Sequence, residues 1–155
     1  RDVAARNVML DARFEPHLGD FGNCVRVPDG EDAYVAPDDE ETPPNKWLAP
    51  EIVAARRHSF ASDMWAFGIT VWETVTGAEP YPGDDVLGIT MRLAGDESFV
   101  PDAPTADNCA VLNEQPALAA VLKKTLVRDA AARPTSAALA QLLSRAVLPS
   151  GGADG

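Results

Sequence analysis

From Met64 to Val75 nearly every position is apolar, and so unbroken a run predicts a helix buried at the centre of a domain. Ser62-Asp63 reads as its N-cap and Gly77 as its end. Two later stretches, Ala117 to Val127 and Thr135 to Leu148, repeat apolar residues at helical spacing and predict amphipathic helices. Asp85 to Ala94 predicts a shorter helix, and a Pro in its first turn marks another beginning near Ala49-Pro50-Glu51. Between these helices lie a Pro80-Tyr81-Pro82-Gly83 turn and a polar connector from Gly95 to Asn113. At the other end, residues 1–7 read as a loop. Val8-Met9-Leu10 reads as a short strand, and Pro16 to Gly19 as its return partner across a turn near Asp11. Asp20 to Pro44 is rich in Pro, Gly and acids with weak periodicity; a loop that long is generally functional. The pattern predicts a mainly α domain with one small β-hairpin and a short tail, residues 149–155, that is disordered.

Composition narrows what such a domain does. The 155 residues suit one domain, and the apolar share of 46% excludes disorder of the whole chain. Asp and Glu number 24 against 13 Lys and Arg, a net charge of −11, and phosphate-backbone binding needs the opposite sign. Nucleic acid is therefore not an expected partner. Much of the acid is local, with Asp29, Glu31, Asp32, Asp38, Asp39, Glu40 and Glu41 in one stretch that reads first as a solvated loop. Cys24 and Cys109 lack metal-ligand spacing and predict two free thiols in a reducing compartment, hence a cytoplasmic location. His17 and His58 are isolated and read as surface or turn residues.

The chemistry sits at the start of the chain. Asp2, Asn7 and Asp20 are an acid, an amide and a second acid, with Asp20 thirteen positions after Asn7. Phosphoryl transfer needs one carboxylate to accept the substrate hydroxyl proton, and hard oxygen ligands to hold magnesium on the nucleotide phosphates. Arg1-Asp2-Val3-Ala4-Ala5-Arg6-Asn7 followed by Asp20-Phe21-Gly22 resembles the catalytic loop and metal-binding segment of protein kinases. The resemblance extends along the chain in ordered motifs through Ala49-Pro50-Glu51, Asp63 and Arg133, and covers residues 1–148 as a kinase C-terminal lobe. It implies ATP and Mg2+ as cofactors, Asp2 as catalytic base, and Asn7 and Asp20 as metal and nucleotide ligands. It also implies that Phe21 packs under the metal site and that Gly22 gives the segment freedom to swing.

The same resemblance bears on the acceptor. Serine/threonine kinases usually carry Lys at the position of Ala4; here Arg6 takes that function, as in the tyrosine-kinase form. Pro44-Asn45-Lys46-Trp47 resembles the Pro-x-basic-Trp platform that supports a substrate tyrosine. A tyrosine ring is longer than a serine side chain, so its hydroxyl meets the base only when the substrate backbone is held farther back. Leu126 and Ala130 depart from this pattern, standing where tyrosine kinases commonly have Trp and Pro. The expected activity is transfer of the ATP γ-phosphate to a protein tyrosine. The alternatives are a serine/threonine kinase of the tyrosine-kinase-like group and a non-catalytic scaffold lobe.

By the resemblance, Glu51 and Arg133 form a buried ion pair, and Asp63 hydrogen-bonds the catalytic-loop backbone. Tyr34, midway along the acidic loop, is a candidate regulatory phosphorylation site with Arg1 as the phosphate's partner. The acids around it offer two rival roles: they stand in for phosphate, or they repel it. The glycine-rich loop, strand Lys and helix Glu of the family do not occur in the chain, so the sequence predicts a piece of a longer catalytic domain, inactive in isolation.

Overall fold

The computed structural model describes residues 1–42, 44–102, 104 and 109–147. Strands β1 (Val8–Leu10) and β2 (Pro16–Leu18) pair antiparallel with Met9 opposite His17. The turn between them is built on Asp11, whose carboxylate accepts the backbone N–H groups of Arg13 and Glu15 at 2.8 and 2.9 Å. Those two bonds hold the Asp11 carboxyl below its usual range. Met9, Leu10 and Leu18 stay exposed, so the hairpin is a ribbon with an apolar surface rather than part of the core. Two further strands of two residues each, β3 (Tyr34–Val35) and β4 (Arg57–His58), pair antiparallel; neither is predicted by the sequence pattern.

The helices are α1 (Pro50–Ala55), α2 (Phe60–Thr76), α3 (Val86–Gly95), α4 (Ala110–Glu114), α5 (Pro116–Thr125) and α6 (Ser136–Val147). The long central helix starts earlier than Ser62-Asp63. Ser59 is its N-cap: the Ser59 hydroxyl accepts from the Ser62 N–H, and the Ser62 hydroxyl accepts from the Ser59 N–H at 2.9 Å. This reciprocal pair satisfies two N–H groups that the first turn otherwise leaves open, and it frees Asp63 for another partner. Gly77 ends α2 at φ +65°, as the pattern predicts.

Trp65, Ile69 and Trp72 of α2 meet Ile89, Leu93, Leu112, Leu122 and Leu126 in the main core. A smaller cluster joins Met64 to Val121 and Leu139. Helix α5 crosses so close to α2 that a Cβ on Gly68 would lie 2.3 Å from the Thr125 hydroxyl oxygen. Trp65 and Trp72 are thus core residues, and α2 is the post on which the site is mounted. The predicted tail, 149–155, lies outside the described residues.

Candidate active site

One face of α2 carries three polar residues, Asp63, Thr70 and Glu73, at spacings of seven and three that stack along a helix. Each reaches the opening loop of the chain. Asp63 Oδ1 lies 3.1 Å from the backbone nitrogen of Arg1, and the Thr70 hydroxyl is 3.2 Å from the Val3 carbonyl oxygen. The Glu73 carboxylate accepts the Ala5 N–H at 3.3 Å. Ala4, between the last two, is fully buried. The loop is therefore fixed at every second residue, and Asp2 is held with φ +62°, a left-handed conformation that Asp and Asn adopt more readily than most residues.

Asn7 closes the loop. Its side-chain NH2 donates to the Asp2 carbonyl at 2.8 Å and to Asp2 Oδ2 at 3.1 Å. Its backbone carbonyl accepts the Gly19 N–H at 2.8 Å, which brings the far strand of the hairpin, and Asp20 after it, to the same edge. Asp20 also has positive φ, +53°, and its carboxylate is exposed and makes no hydrogen bond among the described residues. With its NH2 engaged on Asp2, Asn7 has its amide oxygen left as a ligand atom. An amide oxygen and a free carboxylate are a donor set suited to magnesium, which takes few protein ligands and keeps water for the rest.

Arg6 links this edge to the next segment. Its guanidinium bonds Asp2 Oδ1 and lies over the Trp47 ring, 4.5 Å from the centroid. The Trp47 backbone N–H in turn donates to Asn45 Oδ1 at 2.9 Å. Pro44 is exposed and Trp47 half-buried, and Trp47 lines the same cleft as Asp2. Lys46 does not. It is only 6% exposed, with Nζ 3.2 Å from Glu79, because the alternation of the chain turns it inward where a lone ammonium needs an acid. Its side chain lies beneath the segment and not on the exposed face that Pro44 and Trp47 present. Arg1, Asp2, Arg6, Trp47, His58 and Asp63 line one cleft of about 330 Å3.

Behind that cleft lies the acidic loop. Arg1 Nη1 donates to Glu40 Oε1 at 2.6 Å, and the Tyr34 hydroxyl donates to Glu40 Oε2. The Arg1 guanidinium sits 5.1 Å from the Tyr34 ring centroid. The Tyr34 and Arg1 hydrogen bonds hold the Glu40 carboxyl below its ordinary range, while the same carboxylate raises the Tyr34 hydroxyl. Arg56, at the left-handed C-cap of α1 (φ +52°), donates to the carbonyls of Ala36 at 3.2 Å, Pro37 at 2.6 Å and Glu40. Glu51, at the start of α1, meets Arg133 in a two-pronged pair of 2.6 and 2.9 Å.

A family model for protein tyrosine and serine/threonine kinases matches residues 1–143. The chain belongs to the protein kinase family. It is 35% identical over 147 residues to activated Cdc42 kinase Ack of Drosophila melanogaster, a match that covers 93% of this chain and 13% of that protein. It is 43% identical over 84 residues to Fer-related kinase 1 of Caenorhabditis elegans, covering 54% of this chain and 20% of the relative. The chain therefore spans a fifth or less of these relatives' length. The similarity accords with the tyrosine-kinase group that the opening loop resembles.

Within this kinase lobe, several predicted positions differ from expectation. Phe21 is 64% exposed rather than packed, because the left-handed turn at Asp20 and the single 3-10 turn Phe21–Asn23 swing the ring outward. The unusual backbone conformation falls on Asp20, and Gly22 lies inside that turn without positive φ. Asp63 binds the loop and is not the N-cap. His58 is buried at 5% exposure, with neither ring nitrogen hydrogen-bonded among the described residues. Burial, and then the charge of Arg1, pull it down to about 4, so it is neutral at pH 7. Thr70, Glu73 and Arg56 are residues the sequence reading missed, and Glu40 it named only as one acid among seven. Only the first two left a signal, as polar breaks on one face of an otherwise apolar helix.

Proposed function

We propose that the protein carrying this lobe transfers the γ-phosphate of ATP to tyrosine hydroxyls of protein substrates. The observation that carries this reading is the Arg6 bridge, which joins the Asp2 carboxylate to the Trp47 ring. In it the acid that would accept the hydroxyl proton and the surface that would carry the substrate share one guanidinium. A tyrosine ring resting toward Pro44 and Trp47 would bring its hydroxyl to Asp2, whereas a serine on the same platform would fall short. Asp2 takes the proton as the oxygen attacks; Arg6 and Asn7 hold that carboxylate in place. Asn7 and Asp20 would hold magnesium, which when bound neutralises phosphate charge. Two unpaired thiols, Cys24 and Cys109, accord with the reducing cytoplasm as the place where this happens.

The test is Asp2→Asn in the complete protein. Asn suits a left-handed backbone as well as Asp does, so the loop keeps its shape while the base is lost. Transfer to tyrosine peptides should fall by about 10²–10⁴-fold, the usual contribution of a positioned general base. Wild-type-like transfer in that variant removes Asp2 from the mechanism. Phosphoserine or phosphothreonine as the main product of the wild type removes the tyrosine assignment.

A further inference from the structure

The Arg1–Glu40–Tyr34 cluster bears on how the acidic loop is ordered, and the following rests on the kinase reading only for the loop's purpose. We infer that Glu40 is a built-in anion for Arg1, so that the loop from Tyr34 to Glu40 takes its ordered form without phosphorylation, with Arg56 as the positioning residue that presents Glu40. One carboxylate joins two partners, accepting from Arg1 at 2.6 Å through one oxygen and from the Tyr34 hydroxyl through the other. The backbone that carries it is clamped independently. Arg56 bonds three carbonyls of residues 36–40, and its own carbonyl accepts the Ala36 N–H at 3.0 Å.

The left-handed φ of Arg56 supports this reading. Glycine is the usual residue at such a helix end, and an arginine there is held against a steric cost. Three carbonyl bonds from one guanidinium explain why it stays. Without that clamp, Glu40 would belong to a solvated acidic run; with it, one of the acids is delivered to a half-buried cation.

Phosphorylating Tyr34 would form an Oη–P bond, break the donor nucleotide's P–O bond to release the diphosphate, and discharge the phenolic proton. That proton is the one Glu40 now accepts. The product places two anions where a hydrogen bond stood, and they compete for Arg1. Arg1 Nε and Nη2 are buried without partners among the described residues, so the cation has donors to offer a phosphate once Glu40 is gone. Phosphate is therefore redundant while Glu40 is present and becomes necessary when it is removed.

The experiment is hydrogen–deuterium exchange of residues 34–41 in the complete protein, treated with a tyrosine phosphatase or phosphorylated by an added broad-specificity tyrosine kinase. Mass spectrometry verifies the state of Tyr34, and the amides of α2 serve as the control for folding. Wild type should gain no protection when Tyr34 is phosphorylated. Glu40→Gln should exchange about tenfold faster when unphosphorylated, the size of a lost charge-assisted hydrogen bond, and regain protection when Tyr34 carries phosphate. In Tyr34→Phe, where Glu40 still holds Arg1, protection should fall less than in Glu40→Gln and not respond to either enzyme. A wild type that loses about tenfold protection on dephosphorylation overturns the inference, and so does a Glu40→Gln variant that is as protected as wild type without phosphate. Exchange reports order rather than transfer, so a failed tyrosine assignment would leave these outcomes intact.

Discussion

The lobe contains two arginine–glutamate pairs that bind its acidic loop and first helix to the rest, and they are built on opposite principles. Arg133 has a fully buried side chain and uses all five N–H donors: two on Glu51, and one each on the carbonyls of Val127, Ala61 and Arg128. Among the described residues, Arg1 makes one side-chain hydrogen bond, to Glu40, and keeps Nε and Nη2 unpaired. A saturated guanidinium in a dry site has one favourable arrangement. An unsaturated one at the rim of a cleft can exchange partners. The first pair is a rivet and the second a latch, although the residue types are the same.

The most direct way to break that contrast is Arg133→Met. It strands the Glu51 carboxylate and should cost about 3–5 kcal/mol of global stability, read by chemical denaturation. Glu40→Gln should change the same measurement by less than about 1 kcal/mol, because its pair is partly exposed and its loss opens only the loop. Equal effects would mean that the two pairs do the same job.

Glycines sharpen the comparison at smaller scale. Ala at position 68 must enter the α2–α5 contact, where its Cβ meets Thr125 at 2.3 Å and Leu126 at 2.9 Å. Neither neighbour is a flexible end free to move, so Gly68→Ala should destabilise by about 1–3 kcal/mol through overpacking. Gly22→Ala meets only Asp20 Oδ1 at 3.4 Å, an ordinary contact, and its backbone is not left-handed. Its stability effect should stay within about 0.5 kcal/mol. A thermal melt of the two variants side by side separates a region without slack from one with it.

How much of this was visible beforehand follows the same division. The α2 helix was legible because its apolar run is local. The Asp2–Asn7–Asp20 set is named by its resemblance to the kinase motifs, and the structure adds the bonds that tie Asn7 to Asp2 and to Gly19, next to Asp20. The start of α2 was misplaced because Ser62 does the work that the capping rule assigns to Glu or Gln, so the Ser59 box went unread. Arg56 has no glycine to announce a left-handed cap. Strands β3 and β4 are two residues each and lie over twenty positions apart, too short for period two to register. The isolation of His58 in sequence predicts a surface residue, whereas the strand pairing that sets Tyr34 opposite it goes with a buried ring. Contacts of that kind are made by the fold and leave no periodic trace.

His58 also provides the smallest and most discriminating test. Its ring is buried with both nitrogens unpaired among the described residues, next to the Arg1 guanidinium and the Glu40 and Asp63 carboxylates. An apolar ring would lose no hydrogen bond there, and the adjoining cleft leaves space for it. His58→Phe should therefore shift stability at pH 7 by less than about 1 kcal/mol. Acid distinguishes the two proteins. The folded imidazole is held down to about 4 while the unfolded one protonates at about 6.5. Below pH 6.5 the unfolded state binds a proton that the native state refuses, so wild-type stability falls as pH drops from 6.5 towards 4. Glu40, with its lowered carboxyl, adds a loss of the same sign further down, as the proton it takes up releases Arg1. Denaturation curves at pH 7, 6 and 5 should diverge, with His58→Phe retaining more of its neutral-pH stability than wild type. Parallel curves would mean that the ring is protonated in the folded state, and the latch would then hold two cations against Glu40 rather than one.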